Sequence, residues 1–171
     1  MINKFLIYII FFVNFSFLVK ASSEIPFPNM FITKTPITYK AEIEFKGFEG
    51  EPINLSNYNN EIYLLNFWAS WCAPCKKEHK FLMKLSKSEK LKILGVNFKD
   101  KSTSANKFIN QLGNPYYLIA KDEDGKSSVF FGVYGIPESI LVDKNLVVLK
   151  KYIGQINNDD VKEILQIIEN K

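Results

Sequence analysis

The chain has 171 residues, a net charge of +4 from 22 basic and 18 acidic residues, and a composition that is 47% hydrophobic. That is enough apolar content for one packed domain, too little length for two comfortable ones, and it excludes global disorder. Every basic residue is Lys, which argues against phosphate or guanine readout by bidentate Arg forks; with two Cys and one His, a disulfide-stapled scaffold and an imidazole-rich metal site are excluded as well.

Lys4 is followed by the apolar run Phe5 to Val19, closed by Lys20. A basic start before such a run reads as a secretory signal. As a helix it spans about 22 Å, short of a roughly 30 Å hydrocarbon core, but the flanking lysines could snorkel and hold it as a single-pass anchor. Residues 1–21 are therefore a signal peptide or a membrane anchor. Either one exports the remainder to a compartment where disulfides persist. Residues 22–38 carry Pro26, Pro28 and Pro36 without a sustained period and read as a linker, leaving 39–171 as the domain.

Within the domain, 46–52 is a turn between short strands. The run 62–69 is near-continuously apolar, as a buried central strand requires. Residues 74–87 form a helix with Pro74 near its first turn. A second buried strand occupies 92–98, and a helix from Ser102 to Leu112 stops at Gly113. A third apolar stretch covers 116–120, and 122–125 turns the chain. Strands 139–142 and 147–152 flank the turn 143–145 as a hairpin. Asn158 or Asp159 caps a last helix that puts Val161, Ile164, Leu165 and Ile168 on one face. Strand and helix alternate, so the fold class is α/β, with a central sheet flanked by helices. In such sheets chemistry sits at the carboxyl ends of strands, where the first strand and helix meet at Trp71-Cys72-Ala73-Pro74-Cys75.

Two cysteines three residues apart at a helix start are close enough for a disulfide. The ring they close is tiny and constrains little of the unfolded chain, so the bond suits opening and closing better than stapling. The helix N-terminus stabilises a thiolate at Cys72, which makes Cys72 the attacking sulfur and Cys75, one turn inside, the resolving one. Cys75, Glu78, Leu82 and Leu85 fall on one core-facing stripe, opposite the solvated lysines 76, 80, 84 and 87. Glu78 is the anomaly on that stripe. Burial beside a thiol would raise its pKa and let it handle the proton of Cys75; the alternative is an edge position from which it reaches a Lys. His79 reads as a surface residue on the helix flank, and Cys75 with His79 is short of ligands for a metal.

The segment Asn66-Phe67-Trp68-Ala69-Ser70-Trp71-Cys72-Ala73-Pro74-Cys75 resembles the active-site segment of thioredoxin-like proteins. The stretches 75–79, 95–100, 112–116 and 132–138 (Gly-Val-Tyr-Gly-Ile-Pro-Glu) are similar to those of the membrane-tethered periplasmic CcmG (DsbE) branch, which serves cytochrome c maturation. That resemblance implies a thioredoxin-like fold, a cis bond before Pro137 facing the cysteines, and substrate-binding positions at Trp71, Ile136, Pro137 and Glu138. Asn66 stands where ordinary thioredoxins carry a buried Asp, consistent with Glu78 taking the proton role. The resemblance also implies a dithiol reductase without a cofactor. Its partners would be an apocytochrome c, or a mixed disulfide with a maturation component, and a membrane thiol reductant of the DsbD or CcdA type, with the catalytic domain facing the periplasm. A general or copper-site-assembly thiol-disulfide oxidoreductase and a non-catalytic metal- or protein-binding module are the alternatives. Nucleic acid is not among the expected partners, because the Lys stripe lacks interleaved stacking aromatics.

Overall fold

The computed structural model describes residues 44–58 and 61–171. The expected signal or anchor at 1–21 and the linker at 22–38 lie outside the described residues. No helix of the described residues is long and apolar enough to cross a membrane.

In chain order the elements are β1 (Glu44–Gly47), β2 (Pro52–Asn54), a 3-10 turn (Leu55–Tyr58), β3 (Ile62–Trp68), α1 (Ala73–Leu85), β4 (Leu91–Phe98), α2 (Ser102–Leu112), β5 (Leu118–Asp122), α3 (Lys126–Phe130), β6 (Glu138–Val142), β7 (Val148–Ile153) and α4 (Asn158–Glu169). One seven-stranded sheet runs in the order β2-β1-β5-β4-β3-β6-β7. β3 pairs parallel with β4, and β4 with β5, while the β3–β6, β6–β7, β1–β5 and β1–β2 pairs are antiparallel. This is the thioredoxin-like α/β arrangement, a mixed central sheet flanked by helices.

β3 is apolar on both faces because it is covered on both. With a side-chain period of two, Leu64 and Trp68 point to one face and Tyr63, Leu65 and Phe67 to the other. The first face is packed by Leu82 and Leu85 of α1, Ala105, Phe108 and Ile109 of α2, and Val161, Ile164 and Ile168 of α4. The second is packed by Phe45, Ile53, Val96, Ile140 and Phe131. Asn66 shares the parity of Leu64 and Trp68, so it stands on the first face, fully buried, in the middle of the sheet. Its register neighbours are Gly95 on β4 and Ser139 on β6.

Several boundaries differ from the sequence reading, each for a local reason. α1 ends at Leu85, where the backbone N–H of Ser86 still closes on Leu82 but that of Lys87 tightens to a three-residue step back to Lys84. The third apolar stretch starts its strand at Leu118 rather than at Tyr116, because Tyr116 turns its ring over the sheet instead of joining it. Asp122 ends β5 rather than opening a turn. Its carboxylate accepts from the Ser127 and Ser128 backbone N–H groups and from the Ser128 hydroxyl, at 2.6–2.9 Å, and so caps α3, a short helix absent from the sequence reading. The last helix is capped by Asn157 rather than by Asn158 or Asp159. Asn157 and Asp160 form a reciprocal capping box, with Asp160 holding the Asn157 backbone N–H at 2.8 Å. The stop at Gly113 is as expected: φ is +90°, and its N–H donates to Ile109.

Candidate active site

β3 delivers the chain to the C-terminal edge of the sheet at Trp68, and α1 starts at Ala73. The loop between them is held from the far side by Asp100. Its Oδ2 accepts from the Ser70 N–H at 2.6 Å and from Asn97 Nδ2 at 3.1 Å, and its Oδ1 from the Ser70 hydroxyl at 2.9 Å. Trp71, 59% exposed, donates from Nε1 to the Lys99 carbonyl at 3.2 Å. Asp100 lies in the stretch 95–100, where nothing local shows its role, because that role depends on Ser70, thirty positions away.

Cys72 and Cys75 are joined by a disulfide, with their Cα atoms 5.3 Å apart. Cys72 is the N-cap of α1, and its Sγ accepts from the Cys75 N–H at 3.1 Å. A sulfur in that position meets the unpaired N–H groups and positive end of the helix, which favour negative charge on it. Exposure does not separate the two residues: Cys72 is 4% and Cys75 2% exposed. The asymmetry between them lies in the helix end and in what lies beneath Cys75.

One turn further along α1, Glu78 is buried. It does not reach out to a lysine. Its Oε1 accepts from Asn66 Nδ2 at 2.9 Å, and its Oε2 from the Ile156 N–H, in the loop between β7 and α4, at 2.8 Å. Burial outweighs these two hydrogen bonds and pushes the carboxyl up from 4.5 to about 7. Residues three apart on a helix have Cβ atoms about 5–6 Å apart, which places the carboxyl beside Cys75. At neutral pH it is divided between its two forms and can both take and return a proton.

The second polar partner of Asn66 Nδ2 is Ser139 Oγ at 3.0 Å, and Asn66 Oδ1 accepts from the Tyr116 hydroxyl at 3.1 Å. Tyr116 and Ser139 were missed in the sequence. The available signal was Gly95, a glycine inside a buried strand, which marks a close approach. A Cβ there would lie 2.7 Å from the Tyr116 ring and 2.8 Å from Trp68 Nε1.

His79 corrects the sequence reading. It is buried, not on the surface, because its side of α1 faces α2: its ring meets Phe108 edge-on at 5.1 Å, and its Nε2–H donates to the Gly113 carbonyl at 2.9 Å. Burial lowers its pKa, so the ring is neutral at neutral pH.

β6 runs antiparallel to β3 with Glu138 opposite Phe67, so Pro137 lies at the end of the sheet from which Cys72 projects. The Ile136–Pro137 peptide bond is cis. Glu138 is buried and turned into its own loop. Its Oε1 accepts from the Tyr134 and Gly135 N–H groups at 3.0 and 3.1 Å, and its Oε2 pairs with Lys151 Nζ at 2.7 Å. Glu138 thus shapes this loop from within, and Tyr134, 95% exposed, is carried on it.

The Redoxin family model matches residues 31–168. The chain belongs to the Redoxin family. It is 45% identical over 103 residues to the thiol:disulfide interchange protein CycY of Rhizobium leguminosarum bv. viciae, a match covering 60% of this chain and 55% of that protein. It is 41% identical over 120 residues to the thiol:disulfide interchange protein DsbE of Haemophilus influenzae, covering 67% of this chain and 66% of that one. The chain thus spans just over half to about two thirds of the length of these two curated relatives. A DsbF homologue from Corynebacterium diphtheriae shares the fold, with a TM-score of 0.66 at 24% identity over 81% of this chain and 94% of that one. The fold of this Redoxin member thus agrees with the expectation drawn from residues 66–75.

Proposed function

We propose that the chain is a thiol:disulfide oxidoreductase acting as a periplasm-facing dithiol reductase in cytochrome c maturation. The observation that carries the chemistry is the Cys72–Cys75 disulfide at the mouth of α1 with a carboxyl, Glu78, buried one turn below and held by two neutral donors. The relatives named for thiol:disulfide interchange support the same reaction class. The reducing direction and the cytochrome pathway rest on the likeness to the CcmG (DsbE) branch.

In the reduced protein the Cys72 thiolate attacks one sulfur of a substrate disulfide. A mixed disulfide forms, and the other substrate sulfur leaves as a thiolate and takes a proton. The Glu78 carboxylate accepts the proton of Cys75, whose sulfur then attacks Cys72 Sγ. The Cys72–Cys75 bond forms, the second substrate thiolate leaves, and two electrons have passed to the substrate. A membrane thiol reductant of the DsbD or CcdA type restores the dithiol. Trp71, Ile136 and Pro137 line the approach to Cys72. Ile136 offers backbone groups to an extended substrate segment in the manner of an added strand, while the Tyr134 and Gly135 N–H groups are already taken by Glu138.

The test is trapping with Cys75→Ser in cells, which removes the resolving sulfur. The expected result is an apocytochrome c or a maturation component held through Cys72, released by reductant and absent from Cys72→Ser. Recovery of unrelated periplasmic proteins alone would reject the cytochrome assignment, and a Cys72 that stays unreactive in the folded, reduced protein would reject disulfide exchange itself.

A further inference from the structure

Asn66 is the branch point of the buried network, and its amide is asymmetric. Nδ2 donates to Glu78 Oε1 and Ser139 Oγ, and Oδ1 accepts from the Tyr116 hydroxyl. Turning the amide over would aim Oδ1, which can only accept, at the carboxylate, and would set Nδ2 against the phenol. Among the described residues, the Tyr116 hydroxyl donates to Asn66 alone. The overturned amide would therefore leave a buried phenol hydrogen without an acceptor and two oxygens facing each other.

The phenol is held where it is. Its ring stacks on Trp68 at 5.2 Å and 19°, in the space Gly95 leaves by having no side chain. The His79 ring meets it edge-on at 6.4 Å, and the Tyr116 backbone N–H is tied to Asn114 Oδ1 at 3.0 Å. The loop that carries it is pinned to α1 through Gly113 and His79. Burial and the neighbouring Glu78 charge keep the phenol well above its ordinary value, so it remains a donor throughout the neutral range. We propose that Tyr116 is a positioning residue for the proton step: its hydroxyl locks Asn66 in the one orientation that donates to Glu78. The aromatic ring supports the fold, and the single oxygen sets how readily the carboxyl gives up its proton.

Glu78 faces few groups that titrate. Cys75, in the reduced form, lies on its own helix with His79 next to it, and Tyr116 approaches from the loop before β5. From β3, β6 and the loop before α4 come only Asn66, Ser139 and the Ile156 N–H, all neutral. Among the described residues no cation pairs with it. Loss of the Asn66 donor is therefore not masked by a counter-charge.

The test is Tyr116→Phe, read by carbon NMR of the Glu78 carboxyl in the oxidised full chain, where the cysteines do not titrate. The expected result is a midpoint about one pH unit higher, the consequence of weakening one hydrogen bond to the ionised form. An unmoved midpoint in a folded variant overturns the proposal. A second reading needs no variant: in the wild-type protein the Asn66 Nδ2 hydrogens should titrate with the Glu78 midpoint, and pH-insensitive amide signals overturn it even if Tyr116→Phe does not fold. In the reduced protein, the pH profile of mixed-disulfide resolution by Cys75 should move alkaline by the same amount while alkylation of Cys72 keeps its profile; a uniform loss at every pH would mark a merely structural tyrosine and count against the lock. The inference rests on Glu78 as the base for Cys75, but the oxidised-state titration does not depend on turnover. A chain that fails to exchange disulfides would sink the proposed function and leave the lock standing or falling on its own midpoint.

Discussion

Glu78→Gln makes the cost of the buried carboxylate measurable. The carboxyl titrates at 4.5 in an unfolded chain and at about 7 in the fold, so the native state holds its proton across that interval while the unfolded state does not. Stability from this group is complete below about pH 4.5 and declines as the pH climbs, until both states are ionised above about pH 7. The gap corresponds to about 3 kcal/mol. His79 works in the opposite sense: its folded pKa is lowered, so the unfolded state binds more protons in acid and its contribution rises with pH. Both proteins keep His79, and the difference between them isolates Glu78. Gln cannot ionise, and its NH₂ faces a donor, either Asn66 Nδ2 or the Ile156 N–H, so it starts at a disadvantage of about 1 kcal/mol in acid. The assay is urea unfolding of the oxidised proteins from pH 4 to pH 8.5. Wild type should lose about 3 kcal/mol relative to the variant over that range. A difference that stays constant within about 0.5 kcal/mol would show that the carboxyl is not strained by burial, and the argument for it as a proton carrier would go with it.

Gly95→Ala should destabilise by about 1–3 kcal/mol in urea, because the new methyl meets the Tyr116 ring at 2.7 Å and Trp68 at 2.8 Å; a loss under about 0.5 kcal/mol would contradict that crowding. Asp122→Ala strips the acceptor from the first turn of α3 and should cost about 2 kcal/mol, with amide exchange at Ser127 and Ser128 accelerating first. Asp100→Ala releases the Ser70 backbone and should red-shift the emission of Trp71 as the 99–101 loop loosens; an unchanged spectrum would mean the loop is held by something else.

The parts of this fold that could be read from the chain are those written in nearest-neighbour chemistry. β3 was legible because seven residues covered on both faces leave a continuous apolar run, and the stripe of α1 was legible because its spacing is its own. Glu78 could be singled out for that reason alone. Its partners could not, since they come from 12 and 78 residues away along the chain. Tyr116 reads from the chain as the start of an apolar stretch because it stands beside Tyr117 and Leu118; only the gap above Gly95 draws it onto the sheet face. α3 escaped because five residues carry no period, and the acid that starts it belongs to the preceding strand. His79 was misplaced since a helix flank is solvent or core according to which neighbour arrives, and here α2 does.

The two buried glutamates near the cysteine end of the sheet show how the same side chain is given different work. Each accepts two hydrogen bonds from neutral N–H groups. Glu138 has in addition the ammonium of Lys151 at 2.7 Å, so its charge is matched and its carboxylate can clamp the loop before Pro137. Glu78 has no such partner among the described residues, and two neutral donors do not repay what burial takes from an ionised carboxylate. A lysine within about 4 Å would favour the charged form and take the group out of the neutral range. The missing cation is therefore part of what the site needs. A base for Cys75 must be able to hold the proton it removes, and it is the uncompensated burial of Glu78, trimmed by Asn66 and Ile156, that brings its two forms near balance.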